Sequence, residues 1–224
     1  MVDHLDLSHT IEHGKVYYKG LPAPVICDFL SREDSRALYD EGTEFHIGRV
    51  ELITNTGTYI DCPFHRYADG KDTAAMPLSR FVDLPAIVVR ATEAQGRVGR
   101  AIDASWFRQL DVSGQAVLVH TGWDRHWQTD HYWEGHPHLT ADAAEWLRNA
   151  GAVLVGIDSM NIDNTSGGTR PVHSILLRHE VLIAEHLTRL DQLPDGPFRF
   201  TAVPPKLVGV GTFPVRAFAT VTNA

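Results

Sequence analysis

Cysteine is scarce in this chain: Cys27 and Cys62 are the only two in 224 residues. That excludes a disulfide framework and leads to the expectation of a reducing, cytoplasmic setting. Basic residues are also few, 20 Lys and Arg against 28 Asp and Glu for a formal net charge of -8, and no lysine- or arginine-rich run is present. Affinity for a nucleic-acid backbone needs clustered cations, so no nucleic-acid partner is expected. The apolar runs, such as 86–89 and 152–157, are far too short to span a bilayer, and the opening Met1-Val2-Asp3-His4 is too polar and acidic for a signal peptide. No membrane partner is expected, and no internal repeat or low-complexity tract stands out.

What is present is a globular composition, with 43% hydrophobic residues, in a chain long enough to bury a sizeable core. The simplest organisation is one domain over 1–224 with an aromatic and histidine-rich loop at about 123–138. Short apolar runs at 84–90, 115–120 and 152–157 read as buried strands. Further strands are expected at 180–187, 198–203 and 215–221. Ser31 is a candidate cap for a helix to about 41, residues 101–110 form a candidate short helix, and 171–179 another. Thr140 caps a predicted helix to 149, with Ala143, Ala144, Trp146 and Leu147 inward and Gly151 as its stop. A helix delivered between apolar strands implies an α/β crossover. Asp158 and Asp163 follow the 152–157 strand, where they can orient a site or serve turns and caps.

The chain is organised around residues 53–66, Ile-Thr-Asn-Thr-Gly-Thr-Tyr-Ile-Asp-Cys-Pro-Phe-His-Arg. In an extended run, period-2 alternation puts Asn55, Tyr59, Asp61 and His65 on one side and Leu52, Ile60, Cys62 and Phe64 on the other. Pro63 ends regular pairing just before His65. An amide, a phenol, a carboxylate and an imidazole on one short face are the ingredients of a site. Cys62 falls on the packing side, as a small hydrophobe and not a nucleophile.

The stretch resembles the signature of the cyclase family that includes bacterial kynurenine formamidase and isatin hydrolase, His-x-Gly-Thr-His-x-Asp-x-Pro-x-His. It matches at Gly57, Thr58, Asp61, Pro63 and His65 and departs at Asn55 and Tyr59, where the family has two metal-binding histidines. The opening Asp-Leu-Ser, Thr121-Gly122-Trp123, His136-Pro137, Gly156-Ile157-Asp158 and a late His173/Glu185 pair carry the likeness along nearly the whole chain. It implies an α/β fold of the swivelling β/β/α type, a mixed sheet closing towards a barrel with outer helices, and a homodimer. It also implies that Asp61, His173 and Glu185 are metal ligands and that His65 is the catalytic acid/base.

With two histidines replaced by a neutral amide and a phenol, at most one divalent ion, zinc or manganese, is expected on Asp61, His173 and Glu185. The expected activity is hydrolysis of a small, partly aromatic amide, lactam or lactone, with Asn55, Trp123 and Trp127 lining the substrate site. Two alternatives stand beside it: a metal-independent cyclase or lyase using Tyr59, Asp61 and His65, and a catalytically silent ligand-binding member. The 123–138 loop is either a lid or a subunit interface. If these residues only pack, Tyr59 should bond Asp61, His65 a backbone carbonyl, and Glu185 either Arg170 or Arg178.

Overall fold

A computed structural model describes residues 2–92 and 100–222. In chain order its strands and helices are β1 (Val2–Asp6), β2 (Val25–Leu30), α1 (Arg32–Ser35), β3 (Ile47–Glu51), β4 (Tyr59–Asp61), β5 (Leu84–Arg90), β6 (Ala101–Ile102) and β7 (Ala116–His120). They continue with β8 (His138–Leu139), α2 (Ala141–Asn149), β9 (Leu154–Ile157), α3 (Pro171–Arg178), β10 (Leu182–Glu185), β11 (Phe198–Thr201), β12 (Thr212–Pro214) and β13 (Phe218–Thr222). Nine strands form one curled sheet in the order β1-β13-β11-β5-β7-β9-β10-β4-β12. Its centre, β5-β7-β9-β10, is parallel and its flanks are antiparallel. The mixed sheet that closes towards a barrel is therefore as expected.

The central strands read as unbroken apolar runs because both of their faces are covered. Ala116, Leu118, Leu154, Leu182 and Ala184 enter a core inside the curl, with Ile60, Cys62, Phe198 and Phe200. The alternate residues Val117, Val119, Val155, Ile157 and Ile183 face outward against α2 (Ala143, Ala144, Leu147) and α3 (Val172, Leu176, Leu177). Gly151 ends α2 with φ +87, a left-handed conformation that costs glycine nothing.

Several local expectations give way. The helix predicted from Ser31 is only four residues long, although Ser31 does accept from Asp34 N–H. Leu38 and Tyr39 beyond it are exposed, so no apolar face supports a longer helix. Residues 101–110 do not form an α-helix: Ala101–Ile102 pairs with β8, and Asp103 caps a 3-10 turn at Ala104–Trp106 by accepting from Ser105 N–H at 2.9 Å. The strand expected over 180–187 is limited to β10, since Glu180 has φ +57. Of the extended 53–66 run only β4 is strand, and Pro63–His65 turns as a 3-10 helix. Trp146 is only half-buried. The β2–β3 hairpin and β12 had no clear signal in the sequence. Among the described residues, no helix is long and apolar enough to cross a membrane.

Three imidazoles, His136 and His186 buried and His9 half-buried, weaken this fold in acid. Burial holds His9 and His136 down at about 4 and His186 at about 3. Their folded pKa values lie below the ordinary 6.5, so as pH falls the unfolded chain takes up protons that the folded chain refuses. Their contribution is whole above about pH 6.5 and is lost progressively towards pH 4. Asp158 and Glu185, both held up at about 7 by burial, work in the opposite sense over the same range, so the imidazole contribution is read by difference. The urea midpoint of the parent should lose ground relative to that of His136→Gln as pH falls from 7 to 4.5, and a constant difference would contradict this account.

Candidate active site

Register, more than sequence distance, assembles the site. β10 runs antiparallel to β4 with Glu185 opposite Tyr59 and Ile183 opposite Asp61. Side chains directly opposite share a face, so Tyr59, Asp61 and Glu185 all lie on the helix-bearing side with Ile183. Ile60 and Cys62 point into the other core, as alternation predicts, and burial pushes the Cys62 thiol up to about 12. That removes Cys62 from nucleophilic chemistry.

α3 lies over this face and delivers His173. Asp163 fixes the helix start: its carboxylate accepts from Val172 N–H at 2.8 Å, from His173 N–H at 2.9 Å and from His173 Nδ1 at 2.7 Å. With Nδ1 committed, Nε2 of His173 points between two carboxylates, 3.7 Å from Asp61 Oδ2 and 3.7 Å from Glu185 Oε1. Glu185 is itself held on both oxygens. Oε1 accepts from Ile162 N–H at 2.6 Å and Oε2 from the Tyr59 hydroxyl at 2.5 Å.

Thr212, opposite Asp61 on β12, closes the third side. Its hydroxyl lies 2.5 Å from Asp61 Oδ1 and 2.6 Å from His65 Nδ1. The neighbouring Gly211 permits this approach, since a Cβ there would lie 2.2 Å from the His65 backbone nitrogen. Asp61 Oδ2, by contrast, is buried with no hydrogen-bond partner. An orphaned carboxylate oxygen is costly unless something positive completes it.

The charges reflect that crowding. Burial and the Asp61 charge raise Glu185 to about 7 despite its donors. Burial also works against ionisation of Asp61, but His65, His173 and Thr212 outweigh it and hold that carboxyl below its usual range. Burial opposes protonation of His173, yet Glu185, Asp163 and Asp61 raise it to about 10. Burial and the two carboxylates push the Tyr59 hydroxyl well above 10, so it remains a donor.

Tyr59, His65, His173 and Glu185 line a cavity of about 690 Å³, with Tyr18, Leu21, Asn55, Arg66 and Arg170 on its walls, while Asp61 and Thr212 are buried and are not among its lining residues. Asn55, Tyr59, Asp61, His65, His173 and Glu185 are thus brought together. Trp123 and Trp127 are not among the lining residues described. Trp123 is buried with Tyr132 and Met160, donating Nε1–H to Tyr132 O at 3.1 Å, and Trp127 stacks on His9 at 3.8 Å. Their places as cavity walls are taken by Tyr18 and Leu21, which had no motif to mark them. The packing-only contacts are not the ones formed: Tyr59 bonds Glu185, Arg178 pairs with Asp69, and Arg170 donates to backbone carbonyls. Asp158 instead ties down the loop that follows β7, accepting from Thr121 and Gly122.

The donor set fits a divalent cation. Asp61, His65 and His173 present ligand atoms within 4.8 Å of one another. The bare Asp61 oxygen and a histidine oriented from behind by Asp163 are what such a centre needs. Glu185 lies outside that set but approaches His173 Nε2 as closely as Asp61 does. His65 Nδ1, 3.9 Å from Asp61 Oδ1, is already engaged by Thr212.

Comparison with known proteins follows the same line. The Cyclase family model, described as "Putative cyclase", matches residues 5–164. A kynurenine formamidase of Erythrobacter litoralis is 31% identical over 176 residues, covering 75% of this chain and 74% of that protein. One from Bacillus cereus is 28% identical over 179 residues, covering 80% and 81%. A solved structure described as a potential metal-dependent hydrolase with cyclase activity superposes with a TM-score of 0.79 at 26% identity, covering all of both chains. An isatin hydrolase bound to the product analogue thioisatinate, at 22% identity, shares the fold with a TM-score of 0.80 over 99% of this chain and 93% of its own.

The closeness of Gly211 to the His65 turn gives a direct test of this packing. Gly211→Ala must displace backbone instead of a flexible side chain, and should cost about 1–3 kcal/mol or more of stability in urea denaturation. An unchanged midpoint would show that β12 does not approach as described.

Proposed function

Because this chain belongs to the Cyclase family, we propose that it hydrolyses the C–N bond of a small, partly aromatic amide or lactam, with lactones as the ester counterpart. The observation that carries this reading is the orphaned, buried Asp61 oxygen 3.7 Å from Nε2 of His173, an imidazole that lines an open cavity. Asp61, His173 and Glu185 would hold a single zinc or manganese ion, which when bound supplies a Lewis acid for the scissile carbonyl and acidifies water.

The chain's own residues do the rest. The side chain of His65 is 33% exposed and lines the cavity, where it can take a proton from water as the water oxygen bonds the carbonyl carbon. It returns that proton to the leaving nitrogen as the C–N bond breaks. Tyr59 holds Glu185 in place and Asp163 holds His173, so neither carboxylate nor imidazole needs to reorganise. Tyr18, Leu21 and Tyr59 supply apolar wall for a flat substrate. Arg66 and Arg170 form no ion pair among the described residues, which suits a substrate bearing a negative group.

The Tyr59–Glu185 bond at 2.5 Å disfavours the metal-independent reading, because it turns the phenol towards a carboxylate and away from a substrate carbonyl. A silent binding role is countered by the intact Asp61, His65 and His173 cluster. Assays with N-formylkynurenine, isatin and simple lactones should reveal turnover. His65→Ala should lower kcat by about 10²–10⁴-fold while leaving bound metal unchanged. His173→Ala should lose the metal, and elemental analysis should find at most one ion per chain. Two tightly bound ions, or turnover indifferent to both His65 and chelators, would overturn the reading.

The described chain works as one unit in this reading, its first strand paired with its last, in the cytoplasm with both cysteines free. The homodimer is part of the proposal as well. β2 and β3 form a separate two-stranded ribbon whose Val25, Ile26, Phe29, Ile47 and Val50 are all exposed, Phe29 at 75%. An isolated hairpin is marginally stable in water, and a second copy is the simplest cover for such apolar surface. Light scattering should give twice the chain mass, and Phe29→Ser with Val50→Ser should give monomer. A monomeric parent protein would refute this.

A further inference from the structure

We propose that Thr212 is a positioning residue that fixes the tautomer of His65, giving its own proton to Asp61 and accepting the Nδ1–H of His65. The inference rests on the reading of His65 as the acid/base, and it adds a residue that no motif marks.

The Thr212 oxygen lies 2.5 Å from Asp61 Oδ1 and 2.6 Å from His65 Nδ1, and its hydroxyl has one proton to donate. A carboxylate only accepts, and two oxygens at 2.5 Å cannot face each other with lone pairs alone, so the hydroxyl proton belongs between Thr212 and Asp61. The remaining lone pair of Thr212 then meets Nδ1, which must carry a hydrogen. The neutral ring therefore holds its proton at Nδ1 and its lone pair at Nε2. Because the Nδ1 edge is turned to buried Thr212, the opposite edge is the one that lines the cavity. A base needs its lone pair there.

The fold enforces this arrangement independently of the motif. Thr212 sits directly opposite Asp61 in the β12–β4 ladder, so the pair is set by strand register, and Gly211 lets that strand press against the backbone of the His65 turn. Cys62 N–H donates to Gly211 O at 2.7 Å, which pins β12 between Asp61 and His65. Thr212 itself is buried, so water does not compete for either bond.

The test is ¹⁵N NMR of histidine-labelled, metal-free protein at alkaline pH, with His65 assigned by its loss in His65→Ala. The parent protein should show His65 as the Nδ1–H tautomer. Thr212→Ser should keep that tautomer, while Thr212→Val should shift it towards Nε2–H and lower kcat on the order of tenfold or more with KM unchanged. An Nε2–H ring in the parent, or the same tautomer in Thr212→Val, would overturn the proposal. The parent spectrum alone decides the point if Thr212→Val fails to fold. Failure of the functional reading would look different: His65→Ala would turn over normally whatever the tautomer.

Discussion

Two carboxylates buried on one face of a sheet, Asp61 on β4 and Glu185 on β10, are the constraint to which the rest of the site answers. Placing them there without compensation would cost several kcal/mol, because each charge is removed from water beside a like charge. His173 is driven between them, Asp163 backs His173 from the other side, and Tyr59, Ile162 and Thr212 hydrogen-bond the other carboxylate oxygens. Only Asp61 Oδ2 is left bare. That oxygen has no hydrogen-bond partner and lies 3.7 Å from His173 Nε2, a place that a cation can complete.

Departure from the family pattern at two positions is handled locally. The phenol at Tyr59 is far too weak an acid to ligate, but its hydroxyl is a good partner for the raised Glu185 carboxyl. A position where the resemblance implies a histidine carries here a phenol that braces Glu185. Asn55 stays at the cavity wall, half-buried, with no ionic demand on its surroundings. The chain keeps the electrostatic frame and simplifies what sits inside it.

How much of this was legible from the sequence depended on whether the signal was local. Alternation in 59–62 correctly separated Tyr59 and Asp61 from Ile60 and Cys62, and the apolar runs marked β5, β7 and β9. The late His173/Glu185 pair was legible through resemblance. Thr212 was not, because it reaches Asp61 across 151 positions through a strand whose three residues carry no periodicity. Trp123 and Trp127 misled for the opposite reason: aromatic clustering is a strong local signal for burial, and it does not say which cavity the rings face. The short α1 shows a capping signal at work with no apolar face to reward a longer helix.

β4 is only three residues long, yet one face of it carries Tyr59 and Asp61, the other carries Ile60, and both of its edges are paired. A single residue added or removed there would exchange the two faces, sending Asp61 into the apolar interior and Ile60 into the cavity, and would misalign both neighbouring strands at once. Lineages carrying this fold can therefore explore new chemistry at the site by exchanging side chains in place, while length variation must be absorbed in the surrounding loops. An amide at 55 and a phenol at 59, set in an otherwise unshifted frame, are variation of the kind that such a ruler permits.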